Sequence, residues 1–373
     1  MKYDNQLRYA SEIVKEYDGK IPLSAWLKNY FRLHKQMGST DRKTISEMAY
    51  GFYRLGHNPG DDIEQRILWF IFHSENIPPV KDYFISKGQV PSFDFSVEKI
   101  FPFATRLSPG IHAQQFSKSF LVKPDLFIRA RPGHQQRIVD ILNNNNIRFQ
   151  RCGDSCFALP NSTKIESLIE LDKEAVVQDK SSQQTGEYMK LVAEAAGTPF
   201  VWDCCAASGG KSILARDVFE KIELTVSDIR ESIIHNLRAR FDKAGIKNYT
   251  SFIADLNDSR TRVPSSAYDL VIADVPCSGS GTWARTPEQL YFFKEDKIGY
   301  YSRLQKQIVS RVIPSIKNGG YLLYITCSVF SDENENNVEY FREKFGLQVV
   351  KSGLIEGYSQ KADTLFAALF TNQ

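Results

Sequence analysis

Cysteine is scarce in this sequence: six thiols in 373 residues, with no Cys-x-x-Cys pair facing a second pair. That scarcity excludes a disulfide scaffold, and the spacing leaves no basis for structural zinc, so no metal is expected. Cys152 and Cys156 read as free thiols in a reducing compartment. No apolar run approaches the roughly 18 residues of a spanning helix, so no membrane partner is expected. Met1-Lys2-Tyr3-Asp4-Asn5-Gln6 lacks the apolar core of a secretory signal, which implies a cytoplasmic protein. Internal repeats and low-complexity segments are missing too. The net charge of +3 is too small to establish nucleic-acid binding by itself.

What is present describes a soluble globular chain, 42% hydrophobic and 24% charged, long enough for two or three domains. Its charge is unevenly spread. Residues 101–160 carry eight basic side chains (Arg106, Lys118, Lys123, Arg129, Arg131, Arg137, Arg148, Arg151) against three acids (Asp125, Asp140, Asp154). Such an excess suits phosphate contacts, and a solvated basic face is the competing reading.

Residues 1–90 read as helices. Leu23, Trp26, Leu27, Tyr30 and Phe31 fall at helical spacing behind Pro22. Thr40 can cap a helix over Asp41–Leu55, whose stripe is Ile45, Met48, Ala49, Phe52 and Leu55, with Gly56 and Pro59 as the stop. Another helix is predicted over Asp62–His73, closed by Pro78-Pro79. The aromatics here serve a common core. Residues 91–120, with Pro91, Pro102 and Pro109, read as a connector. Residues 121–176 alternate strand and helix: a strand at Leu126–Arg129, a helix over Gln135–Leu142, then strands at Ile147–Phe149 and Cys156–Leu159. That pattern is a small α/β module.

From residue 177 to 373 the rhythm is that of a doubly wound α/β domain. A helix is predicted over Gln184–Ala196. Strands are predicted at 201–203, 224–227, 250–254, 269–273, 320–325, 347–350 and 364–370, and helices at 210–219, 231–244, 301–316 and 334–343. Three strand ends carry the chemistry. Val201-Trp202-Asp203 leads into Cys204-Cys205-Ala206-Ala207-Ser208-Gly209-Gly210-Lys211, Leu270–Asp274 into Val275-Pro276-Cys277-Ser278-Gly279-Ser280-Gly281, and Tyr321–Ile325 into Thr326-Cys327-Ser328.

Gly209 and Gly210 permit a tight turn and close backbone approach to a ligand. A dinucleotide fingerprint is missing, and a P-loop fails because Cys205 stands where its leading glycine would be. Asp228 closes the next strand, where a carboxylate accepts from ribose hydroxyls, and Asp255 follows a third, suited to an adenine amino group. With Asp274, three acids converge on one sheet edge. That favours a cationic sulfonium over phosphates, hence S-adenosylmethionine over NAD or ATP.

Thiols at two neighbouring strand ends point to base chemistry. Carbon 5 of a pyrimidine takes a methyl group only after a nucleophile adds at carbon 6, and the carbon-5 proton must then leave. An acid near ring nitrogen 3 stabilises the developing charge. Asp274, Cys277 and Cys327 offer these functions, and the residues alone leave open which cysteine attacks. A Tyr or Phe at 277 would instead have suited methylation of an exocyclic amine.

These motifs resemble the RsmB/NOP/Sun (Fmu) family of S-adenosylmethionine-dependent RNA cytosine-5 methyltransferases. The family's Asp-x-Cys-Ala-Ala-Pro-Gly-Gly-Lys-Thr loop is similar to Asp203–Ser212. Its Asp-Ala-Pro-Cys-Ser-Gly-x-Gly signature is matched by Asp274–Gly281, and its Thr-Cys-Ser motif by Thr326-Cys327-Ser328 with Glu333-Asn334 beyond. Val177–Gln183 resembles the family's lead-in segment, and Asp363–Leu369 its closing strand. The resemblance implies a class I (Rossmann-like) methyltransferase domain over 177–373, an RNA-recognition-like subdomain over 121–176 and an antiterminator-like RNA-binding helical domain over 1–90.

By that pattern Cys327 is the nucleophile, Cys277 assists product release and Asp274 contacts the cytosine. Lys211 lies near substrate or cofactor. The cofactor set is Cys205, Ala206, Ala207, Ser208, Gly209, Gly210, Lys211, Asp228, Arg230, Asp255 and Asp274. Arg285 and Pro287 resemble the family's substrate-side segment. The implied partner is RNA: ribosomal RNA, with transfer RNA as the alternative, bound by a monomer. Three positions depart from the pattern: Ser208 for proline, Val275 for alanine and Arg131 for an asparagine. A non-catalytic RNA-binding protein predicts a lost thiol or acid, and none is lost. A DNA cytosine methyltransferase using Cys277 predicts a recognition insertion after that loop, and none is visible.

Overall fold

The computed structural model describes residues 2–58, 62–193, 197–265 and 267–372, which divide into two compact units. The first comprises Met1–Thr105, Ile111–Lys123 and Thr282–Glu295 and is helical: α1 (Lys2–Glu16), α2 (Leu23–Leu33), α3 (Ser39–Arg54), α4 (Ile63–His73), α5 (Pro78–Ser86) and α6 (Ala113–Ser119). One further helix, Pro287–Phe292, comes from far along the chain. Leu7, Ala10 and Ile13 of α1 pack with Leu23 and Leu27, with Ile45, Met48, Ala49 and Phe52, and with Ile67 and Ile71. The aromatics Tyr30 and Phe31 belong to the same core, as expected for a small unit needing large side chains to bury enough area.

Two local expectations change. Thr40 lies inside α3. Gly38 caps that helix instead, its N–H donating to Asp41 Oδ2 (3.3 Å). Pro78-Pro79 opens α5 rather than closing α4, which ends at His73, because a proline at the first helical position forfeits no hydrogen bond. Asp62 caps α4, accepting from the Gln65 N–H (3.1 Å). The predicted stop at Pro59 lies outside the described residues.

The second unit comprises Arg106–Gly110, Pro124–Gly281 and Asp296–Gln373. Within it, β1 (Leu126–Ala130), β2 (Gln150–Arg151), β3 (Cys156–Leu159) and β4 (Ala175–Val177) form an antiparallel sheet in the order β2-β3-β1-β4. Helix α7 (Gln135–Asn144) covers it through Ile138 and Leu142. The predicted strand at Ile147–Phe149 is displaced to β2, two exposed polar residues pairing with Phe157 and Ala158. The predicted helix over Gln184–Ala196 is two: α8 (Lys180–Gln184), capped by Asp179, and α9 (Gly186–Ala193). Ala196 lies outside the described residues.

The larger sheet has the order β10-β11-β9-β8-β5-β6-β7, with β5 (Phe200–Asp203), β6 (Glu223–Asp228), β7 (Tyr249–Ile253), β8 (Tyr268–Asp274), β9 (Ile316–Thr326), β10 (Gln348–Ile355) and β11 (Leu365–Thr371). The strands β5 to β9 run parallel, and β11 is antiparallel to both β9 and β10. Buried on both faces, the central strands read as continuous apolar runs. On one face Ile213 and Leu214 of α10 (Gly210–Phe219) and Leu237 and Phe241 of α11 (Glu231–Ala244) cover Val201, Val226 and Ile272. On the other, Ile308 and Val309 of the helix Asp296–Val312 and Phe341 of the helix Glu335–Phe345 cover Trp202, Val271 and Tyr324. The chain steps from β5 outward to β6 and β7, then returns to β8 on β5's other side. The carboxyl ends of β5 and β8 therefore flank a topological switch point, where open α/β sheets bind ligands.

Candidate active site

Parallel register brings the three motif-bearing strand ends side by side. Asp203 pairs with Ile272 and Val226, and Asp274 with Ile325. Asp203, Asp228 and Asp274 are each the last residue of a strand, and Cys327 follows the last residue of β9. Asp255 stands two residues beyond β7, where its Oδ1 accepts from the Asn257 N–H (2.9 Å).

The turn after β5 begins α10. Gly209 sits at φ +85°, and a Cβ there would come within 2.7 Å of Phe241 Cε1, so the turn requires glycine. A Cβ at Gly210 would meet nothing within 4 Å, which leaves open space beside the turn. Ala207 adopts φ 45°, and its N–H donates to Asp228 Oδ2 (3.0 Å). Arg230 also reaches Asp228, its Nε donating to Oδ1 (3.0 Å) from a side chain 57% exposed, free to swing away at little cost. Ser208, which stands in place of the family's proline, accepts from Arg240 Nη1 at both its carbonyl and its Oγ.

Asp203 is fully buried. Its Oδ2 accepts from Ser212 Oγ (2.6 Å), while its Oδ1 has no hydrogen-bond partner among the described residues. Burial raises its pKa to about 7, since a carboxylate without water or a paired cation prefers its neutral form.

At the centre, buried Lys211 donates from Nζ to Asp274 Oδ2 (2.9 Å) and to Ser182 Oγ (2.8 Å). Burial alone would weaken the ammonium, yet the charges of Asp274 and then Cys327 hold it above the usual lysine range. The two cysteine loops meet where the Cys327 N–H donates to Cys277 Sγ (3.3 Å). Hydrogen bonding with Cys327 and burial push the Cys277 thiol well above its ordinary range, with the Cys327 and Glu333 charges adding to this.

A buried polar network fixes both loops. Glu333 accepts from the Ser278 N–H (3.0 Å), Gln305 Nε2 (2.7 Å) and Ser328 Oγ (2.7 Å). Asn334 Oδ1 accepts from Thr326 Oγ1 (2.6 Å), and its Nδ2 donates to the Ser328 carbonyl (2.9 Å). At Gly281 a Cβ would lie 1.8 Å from the Thr364 carbonyl oxygen, so glycine alone admits this approach. Its N–H donates to the Cys327 carbonyl (2.9 Å). Rigid loops of this kind hold reacting groups in place before substrate arrives.

Residues 191–364 match the profile of the 16S rRNA methyltransferase RsmB/F family. The chain is 30% identical over 169 residues to ribosomal RNA small subunit methyltransferase B of Xanthomonas campestris pv. campestris, covering 45% of this chain and 38% of that one. With the Enterobacter protein of the same name it shares 24% over 233 residues, 60% of this chain and 52% of that one. The chain thus spans about half the length of the curated relatives it matches, or less. Among solved structures, PH0851 superposes with a TM-score of 0.76 over 98% of both chains at 17% identity. NSun6 from Pyrococcus horikoshii, solved with SFG, gives 0.61 at 14% identity, over 73% of this chain and 97% of that one. These two likenesses show a common fold.

The matched segment gathers Lys211, Asp274, Cys277 and Cys327 at one place, with Cys205–Gly210 and Asp228 at the adjoining turn. Arg285 and Pro287 lie in the helical unit, where Pro287 begins its helix. Reading the sequence overlooked Asp203, Ser212 and Ser182 as parts of the site. Their signal was available: each lies inside or beside a quoted motif. The basic excess over 101–160 is half committed to acids. Arg129 and Arg131 both pair with Asp217, Arg106 with Asp332 and Arg137 with Glu174. Arg131, which stands where the resemblance expects an asparagine, is thereby engaged in an ion pair with Asp217. No cluster of three or more metal-ligating side chains occurs among the described residues, and no helix there is long and apolar enough to cross a membrane.

Proposed function

We propose that this protein is an S-adenosylmethionine-dependent RNA cytosine-5 methyltransferase acting on ribosomal RNA through a Cys327 adduct. The observation that carries the reading is the meeting of two strand-end thiols beside an ion pair. Cys277 Sγ accepts from the Cys327 N–H at 3.3 Å, and Lys211 bridges to Asp274 at 2.9 Å.

The residues present fit the cofactor. Carboxylates at neighbouring strand ends suit a cation, and the space beside Gly210 is open. The backbone of Cys205–Gly210, with Asp228, Arg230, Asp255, Asp274 and Lys211, would hold it. When bound, S-adenosylmethionine supplies the methyl group for carbon 5. The chain's own residues do the rest. Sγ of Cys327, kept near the Lys211 ammonium, adds to carbon 6 of the cytosine. Asp274 contacts the ring near nitrogen 3, where charge develops on addition. After carbon 5 has gained its methyl group, its proton passes to water in the site, the electrons of that C–H bond re-form the double bond to carbon 6, and Cys327 Sγ leaves carbon 6 as a thiolate beside the Lys211 ammonium; Cys277 assists that release. A paired target must leave its stack to reach these groups.

The test is transfer of isotope-labelled methyl groups to deproteinised ribosomal RNA, small ribosomal subunits and transfer RNA, read by nucleoside mass spectrometry. Label in 5-methylcytidine of ribosomal RNA is expected. Label confined to transfer RNA would replace the substrate, and label on the exocyclic amine, or none, would end the reading.

A further inference from the structure

The lead-in segment Val177–Gln183 has no task in the chemistry above, yet its polar side chains are all engaged. Asp179 and Ser181 anchor the segment to residue 363. Asp179 Oδ2 accepts from the Asp363 N–H (3.1 Å), and Ser181 Oγ donates to the Asp363 carbonyl (2.6 Å). Gln178 and Ser182 serve something else. Ser182 Oγ accepts from Lys211 Nζ (2.8 Å) and from Gln178 Nε2 (3.2 Å). Gln178 Oε1 accepts from Arg129 Nε (2.9 Å), whose Nη1 donates to Asp217 Oδ2 (2.6 Å).

These bonds form one unbroken chain from Asp217 through Arg129, Gln178, Ser182 and Lys211 to Asp274. It runs from β1 of the small sheet to the carboxyl end of β8. Its direction is fixed by chemistry. Arginine and lysine only donate, so the Gln178 oxygen must face Arg129 and its amide nitrogen must face Ser182. The Ser182 hydroxyl then receives two donors, and Lys211 spends two of its three N–H bonds on fixed acceptors. The chain is largely buried: Gln178, Arg129 and Lys211 are all below 9% exposed. An ion pair with Asp274 alone would satisfy the lysine's charge. The second, neutral acceptor adds direction.

We propose that Ser182 is a positioning residue for the reaction. It holds the Lys211 ammonium against Asp274, and Gln178 and Arg129 tie that placement to the small α/β module. The inference rests on the reading that Cys327 and Asp274 carry the chemistry. The titratable and charged groups facing this site are Lys211, Asp274 and Cys277, with Asp203 and Glu333 deeper in. Lys211 is the cation among them, so the field it exerts at the Cys327 sulfur depends on where its ammonium is held.

The test uses the full chain with Ser182→Ala, Ser182→Thr and Gln178→Glu, the last keeping the acceptor for Arg129 while removing the donor to Ser182. Two readouts are taken: the pH dependence of Cys327 alkylation by iodoacetamide, resolved by peptide mass spectrometry, and methyl transfer to RNA. Ser182→Ala is expected to move the alkylation midpoint to higher pH and to slow both reactions about tenfold near pH 7 with the RNA KM unchanged. Ser182→Thr should restore both, and Gln178→Glu should give the same shift more weakly. An alkylation profile identical to the parent's in Ser182→Ala would overturn the proposal. If the parent transfers no methyl group to RNA yet the profile shifts, the functional reading fails and the positioning role stands. If the parent is active and Ser182→Ala matches it in both readouts, the positioning role fails alone.

Discussion

Two of the thiol pairs in the second unit are opposites. Cys152 and Cys156 face each other across a hairpin, the Cys152 N–H donating to the Cys156 carbonyl (2.8 Å). Burial pushes the Cys156 thiol up to about 12, and the charge of Lys180 offsets this only in part. Cys277 and Cys327 also meet, the Cys327 N–H donating to Cys277 Sγ (3.3 Å), but their loops end the neighbouring parallel strands β8 and β9, beside a buried lysine and over the Glu333 network. On the proposed mechanism, proximity of thiols is therefore not what makes a pair reactive. A buried lysine and a braced backbone are, because a thiolate must be both stabilised and aimed.

The comparison breaks most sharply at Cys327. Replacing it with alanine is expected to remove methyl transfer by at least about 10³-fold, while the double variant Cys152→Ser/Cys156→Ser stays within about twofold of the parent. A comparable loss in the hairpin variant would erase the distinction. Next in size is Glu333→Ala, which strands the Ser278 N–H, the Ser328 hydroxyl and Gln305 Nε2 without their acceptor. A cost of about 2–4 kcal/mol in denaturant unfolding is expected. An unchanged midpoint would mean that the loops do not depend on that network.

A smaller effect sits at Asp203. Its folded pKa of about 7 lies above the usual 3.8, so the folded state binds this proton more tightly than the unfolded chain does. The contribution to stability is complete below about pH 4 and is lost as pH rises through 7. Asp203→Asn has no such dependence. Its melting temperature should therefore gain on the parent's between pH 5.5 and 8.5. Parallel curves for the two proteins would show that the carboxyl is not held neutral.

The sequence was most readable where structure is local. The limits of α10 and α11 follow from Gly209-Gly210 before one helix and Gly245 after the other, and the apolar strands β5, β6 and β8 needed only their length and composition. The strand-end thiols and acids were legible as motifs. What stayed hidden depends on partners far along the chain. Asp217 binding Arg129 and Arg131, or Glu333 gathering Ser278 and Gln305, leaves no trace in spacing. Pro78-Pro79 fits the end of one helix as well as the start of another, and only packing decides. The edge strand β2 is two exposed polar residues, so it carries no alternation to find.

The central claim is that Cys327 bonds to the base and Cys277 lets it go. The direct measurement is a denaturing gel of the parent, Cys277→Ala and Cys327→Ala, each incubated with S-adenosylmethionine and substrate RNA. The account predicts a slow-migrating protein–RNA band that accumulates with Cys277→Ala and is missing with Cys327→Ala. A band that accumulates with Cys327→Ala and is missing with Cys277→Ala would contradict it and exchange the two roles.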